Sequence, residues 1–106
     1  MATGRLGNTS PGASTNATLY TVPTGYYTVA NVSFTNTNAT SVTVRLAMAT
    51  TTSPGTSEWI EYDTVIVAKG VLERTGLVMQ AGINLVGWAS ATGVNITTYG
   101  IETSTT

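Results

Sequence analysis

Hydrophobic and polar residues alternate along most of this chain with a period of two, the pattern of strands that turn one face to a core and the other to solvent. The clearest run is "YYTVANVSFTNT" (26–37), where Ala30, Val32 and Phe34 share one face and Asn31, Ser33 and Thr35 the other. "SVTVRLAMA" (41–49) repeats it, with Val42, Val44, Leu46 and Met48 directed inward. The same reading predicts strands over "ATLYTV" (17–22), "EWIEYDTVIVA" (58–68), "VLERTGLVM" (71–79), "INLVGWASA" (83–91) and "VNITTYGIE" (94–102). Turn chemistry separates them. "PTG" (23–25) joins a proline that presets φ to a glycine that accepts positive φ, and "NAT" (38–40), "QAG" (80–82) and "TG" (92–93) act similarly. "TTTSPGTS" (50–57) is the longest internal loop.

About seven short antiparallel strands at this spacing predict an all-β fold, a single β-sandwich or small jelly roll. Residues 1–16 show no periodicity and consist largely of small polar residues around Pro11, so they are expected to form a flexible N-terminal arm. The β-sandwich domain is then residues 17–106.

Composition supports strands over disorder. The chain has 106 residues, 42% of them hydrophobic, and roughly one residue in five is Thr. β-branched and aromatic side chains favour a pleated, half-buried surface. A chain of this length buries roughly two thirds of its surface around one core. The absence of Cys removes disulfides and thiolate chemistry, and the absence of His removes the usual general base and the commonest metal ligand. Only 8% of residues are charged and the net charge is −1, too weak a positive field to hold nucleic acid or an anionic membrane. "MATGRLGNTSPGAS" lacks the apolar core of a signal peptide, and no apolar run approaches the ~20 residues of a membrane span, so synthesis without export is expected.

Charge gathers in one place. "EWIEYDTVIVAKGVLERTG" (58–76) holds Glu58, Glu61, Asp63, Lys69, Glu73 and Arg74, six of the nine charged residues. If Lys69 and Gly70 were the central residues of a two-residue hairpin turn, Val65 would face Arg74, and Glu61 and Asp63 would lie on one face beside it. The same two carboxylates, ~6.5–7 Å apart at Cα, are the strongest candidates for a glycosidase pair or a calcium site. Neither fits well. A hydrolase needs one carboxyl in an apolar pocket, and a calcium loop draws more oxygen ligands than Ala-Lys-Gly supplies. A Ser-Lys pair built on Lys69 would place an exposed, solvated amine in the role of base. The cluster reads as structural or as part of an interface, with no catalytic, cofactor or metal residues.

The aromatics Tyr20, Tyr26, Tyr27, Phe34, Trp59, Tyr62, Trp88 and Tyr99 are expected to serve the core or subunit packing, since neighbours such as Tyr26 and Tyr27 point to opposite faces. Five sequons, at Asn8, Asn16, Asn31, Asn38 and Asn95, follow from the abundance of Ser and Thr.

"LYTVPTG", "VTVRLAMA", "EWIEYDTVIVAKGVLERTGLVMQAG" and the closing "VNITTYGIE" resemble a group of small virion structural proteins of tailed bacteriophages. The resemblance runs from about Ala17 to Glu102, rests on turn-and-strand patterns, and supplies no catalytic residues. It implies a non-enzymatic virion protein without cofactors: a capsid decoration (cement) protein, homotrimeric, contacting the major capsid protein or another virion protein. A tail or neck accessory protein is the alternative within that class, and a carbohydrate- or receptor-binding module is the rival outside it. Direct contact with nucleic acid or membrane is not expected. The expected interface residues are Arg5 and Leu6 in the arm, with Glu61, Asp63, Glu73 and Arg74.

Overall fold

A computed structural model describes residues 3–105 and contains eight strands: β1 (Thr3–Thr9), β2 (Ala17–Thr21), β3 (Tyr26–Asn36), β4 (Val42–Ala49), β5 (Trp59–Ile66), β6 (Val71–Met79), β7 (Asn84–Ala89) and β8 (Val94–Ser104). They form two four-stranded antiparallel sheets, sheet A in the order β1-β8-β3-β6 and sheet B in the order β2-β7-β4-β5. The pairings nest: β1 with β8, β2 with β7, β3 with β6 and β4 with β5. The chain is in effect one long antiparallel hairpin with its tip between β4 and β5, rolled into two layers. That is the jelly-roll arrangement.

The alternation read from the sequence builds the core. Ala30, Val32 and Phe34 of β3, Val42, Val44 and Leu46 of β4, Leu77 and Met79 of β6, Leu85 and Ala89 of β7, and Val94 and Ile96 of β8 are buried between the sheets. Met48 is partly buried against them. Each fully buried aliphatic or aromatic side chain contributes about 1.5–3 kcal/mol over exposure. Two polar pins join the layers. At one end Tyr20 of β2 donates its hydroxyl proton to the buried Glu102 of β8 and shares a hydrogen bond with Thr28 of β3. Burial, reinforced by the Glu102 carboxylate, pushes the Tyr20 hydroxyl up to about 12. At the other end the buried Asn36 amide donates to the carbonyls of Thr40, Ile66 and Val67 and accepts from the Asn38 N–H.

The seven strands expected from the pattern lie within two residues of their observed bounds. The arm is a correction. Thr3–Thr9 is an edge strand of sheet A, paired with β8 from Thr3 opposite Ile101 to Thr9 opposite Ile96. Leu6 packs against the core and Pro11 is buried. Met1 and Ala2, at the start of the expected arm, and Thr106 lie outside the described residues. The hairpin is a second correction. β5 and β6 belong to different sheets, so residues 67–70 carry the chain from one layer to the other. The turn spans Val67–Gly70, closed by the Gly70 N–H on the Val67 carbonyl at 2.9 Å, and Lys69 takes φ +63°.

Regularity is unevenly distributed. The central pairings, β3 with β8 and β4 with β7, run without a register shift. Every pairing that includes an edge strand is bulged: near Leu6 in β1, near Leu19 in β2, at Tyr62–Asp63 and again at Ile60 in β5, and at Thr75–Gly76 in β6. Bulges twist an edge and break the row of groups that another strand would pair with.

Candidate functional site

The charged segment 58–76 separates into five arrangements, one of them Lys69 alone, whose Nζ donates to the Thr37 carbonyl at 2.7 Å. Glu61 of β5 stands opposite the inward-facing Leu46, and Arg74 of β6 opposite the inward-facing Val32. Both side chains therefore turn toward the interior from opposing sheets, and Arg74 Nη1 meets Glu61 Oε2 at 2.5 Å. Thr64 donates its hydroxyl to the other Glu61 oxygen at 2.6 Å. The pair closes the side of the sandwich where the edges of β5 and β6 run.

Asp63 is elsewhere. The bulge places both Tyr62 and Asp63 opposite Arg45, with Asp63 at φ +53°, and so reverses the strand's phase. Asp63 then lies on the outer face of sheet B, where Arg45 Nε donates to its Oδ1 at 2.6 Å. Glu61 and Asp63 do not share a face and cannot act as a carboxylate pair. Glu73 lies on the outer face of sheet A and accepts a 3.0 Å hydrogen bond from the Tyr99 hydroxyl, which that carboxylate pushes above the ordinary tyrosine range. Arg5 is exposed on the same face, opposite Tyr99, whereas Leu6 turns inward. Among the described residues no three Asp, Glu, His or Cys side chains converge as a metal site.

The outer face of sheet B carries a cluster that was absent from the sequence reading. Arg45 of β4 stands opposite Trp88 of β7, and its guanidinium lies 4.0 Å from the centroid of that ring and 4.1 Å from that of Tyr62. Such sandwiching is favourable because both ring faces are electron-rich. The Asp63 carboxylate raises the affinity of Arg45 for its proton. Trp59 meets Tyr62 edge to face, at 71° with centroids 5.7 Å apart, and with Thr56 the two rings line an open cleft of about 390 Å³. Loop 50–58 supplies Thr56 and is fastened by Glu58, whose carboxylate accepts the N–H groups of Gly55 at 2.8 Å and Thr50 at 3.0 Å. These two donors hold the Glu58 carboxyl below its ordinary range.

The outer face of sheet A is different. Val78 of β6, Val29 of β3 and Ile101 of β8 stand opposite one another in a single row across three strands, 64%, 38% and 53% exposed. Among the described residues nothing covers them. A second exposed aliphatic group, Val65, Val67 and Val71, surrounds the β5–β6 connection. The two outer faces thus offer stacking on one side of the molecule and a row of exposed aliphatics on the other. Comparison with protein-family models, with curated proteins and with solved structures finds no match to this chain.

Proposed function

We propose that this protein is a non-enzymatic structural component of a tailed-phage virion, a capsid decoration subunit that docks through the outer face of sheet A. The observation that carries the reading is the Val78–Val29–Ile101 row. Three exposed branched aliphatics in register form an apolar contact line, and its neighbours on β1, β3 and β8, Thr3, Tyr27, Asn31 and Thr103, are uncharged and desolvated at lower cost than charges. The second aliphatic group, Val65, Val67 and Val71, suits a contact between copies in a homotrimer. The sequence resemblance adds the virion and the major capsid protein as partner. Jelly rolls serve capsid and lectin domains alike, so fold supports the reading only by analogy.

The test is occupancy on particles assembled without this chain. Val29→Asp puts a charge into the middle of the row at a position open to solvent, so the purified variant should stay folded, with its melting temperature lowered by about 5 °C, the cost of one lost cross-strand contact. Added to the particles, it should decorate them at least about tenfold more weakly, since one charge left unpaired in a dry contact costs more than 1.4 kcal/mol. Decoration equal to that of the parent overturns the docking face. Binding of the parent to tails and not to heads moves the protein to the tail or neck.

A further inference from the structure

The cleft on the opposite face carries a separate inference, which does not rest on the virion reading. We propose that the corner formed by Trp59, Tyr62 and Thr56 binds a neutral sugar of one or two rings. Its volume of about 390 Å³ falls at the small end of ligand sites.

Three features select this chemistry. A pyranose ring presents a face of weakly positive C–H groups that packs on the electron-rich face of an aromatic ring. Two rings at 71° give such a ligand a floor and a wall. The exposed Thr56 brings a hydroxyl that both donates and accepts, matching the sugar's own hydroxyls. Among the described residues the one cation at the face, Arg45, is enclosed by Tyr62 and Trp88 and neutralised by Asp63, so it does not favour an anionic ligand.

The site is also held in shape before any ligand arrives. Arg45 braces Tyr62 from one side, and the Glu58 carboxylate ties down the loop that carries Thr56. Prior ordering of this kind reduces the entropy lost on binding. Tyr62 is nonetheless 58% exposed, a large ring left open to solvent at the mouth of the cleft.

The chain has two tryptophans, so an ¹⁵N spectrum contains two indole N–H signals, and Trp59→Phe assigns them. The full chain is titrated with the methyl glycosides of glucose, galactose, mannose and N-acetylglucosamine and with their disaccharides, to about 20 mM, the range of weak sites. At least one should shift the Trp59 indole signal saturably. Tyr62→Ala should weaken that binding about tenfold, the loss of one stacked ring, while Tyr62→Phe keeps it. The proposal fails if no sugar moves the Trp59 signal, or if Tyr62→Ala binds as the parent does. It also fails if sialic acid or a proline-rich peptide moves the signal and the neutral sugars do not.

Discussion

Along the side formed by β1 and β2 the two sheets close to backbone contact, whereas along the side formed by β5 and β6 they stand apart and an ion pair adds to the packing of Ile60, Ile66 and Leu72. β1 and β2 lie against each other, and Gly7 sits so close beneath the Leu19 carbonyl that a Cβ there would be 2.4 Å from its oxygen. β5 and β6 stay apart, and the gap is spanned by Glu61 and Arg74 from inward-facing positions. A chain with so few charges places two of them on this open side. Inward-pointing charges and bulges are both ways to keep an edge from recruiting a foreign strand. All four edges here are bulged, and the open side has the charges as well. The two broad faces differ in turn, with the aliphatic row on one and the aromatic cleft on the other.

The packed side should respond most strongly to substitution. Gly7→Ala forces a methyl group against backbone and should cost about 3 kcal/mol, a fall in melting temperature of roughly 15 °C for a domain of this size. A smaller loss than for Arg74→Ala would reverse the comparison. At the open side Arg74→Ala leaves the Glu61 carboxylate, whose side chain is only 17% exposed, without its partner, and should cost about 2 kcal/mol in denaturant titration. Replacing both residues by apolar ones of similar size, Glu61→Leu with Arg74→Met, should recover most of that loss. A cost near 0.5 kcal/mol for Arg74→Ala would mark an ordinary surface pair.

The smallest effect belongs to loop 50–58. Because the Glu58 carboxyl titrates below its ordinary value of 4.5 when folded, its stabilisation is present above pH 4.5 and is lost as pH falls through the folded value. Glu58→Gln should therefore melt slightly below the parent at neutral pH, and the two curves should converge in acid. A constant difference across that range would show that the carboxylate does not fasten the loop.

The inward strands were legible because a period of two survives wherever a strand is regular, as in β3 and β4. β1 was not. "TGRLGNT" has one apolar residue and two glycines, and its bulge turns both Leu6 and Gly7 inward, which erases the alternation. The same physics misplaced Asp63. Counting by twos puts it beside Glu61, but the bulge at Tyr62–Asp63 adds a residue and reverses the face. The sequence held one signal for this, since Asp tolerates the left-handed backbone conformation better than most residues. Charge pattern sets Arg74 among Glu61 and Asp63 across a hairpin; the structure keeps only Glu61 beside it, and across two sheets. The aromatic cluster depends on strand order. Tyr62, Arg45 and Trp88 come from three strands whose adjacency, β5-β4-β7, no local pattern encodes.

The orientation of this chain on an assembled particle tests the central claim most directly. In a reconstruction of the virion at side-chain resolution, the row of Val78, Val29 and Ile101 should lie against the shell, with the Trp59–Tyr62 cleft facing outward and no foreign strand paired to β5 or β6. A row turned to solvent, or a neighbouring strand hydrogen-bonded along either of those edges, would contradict it.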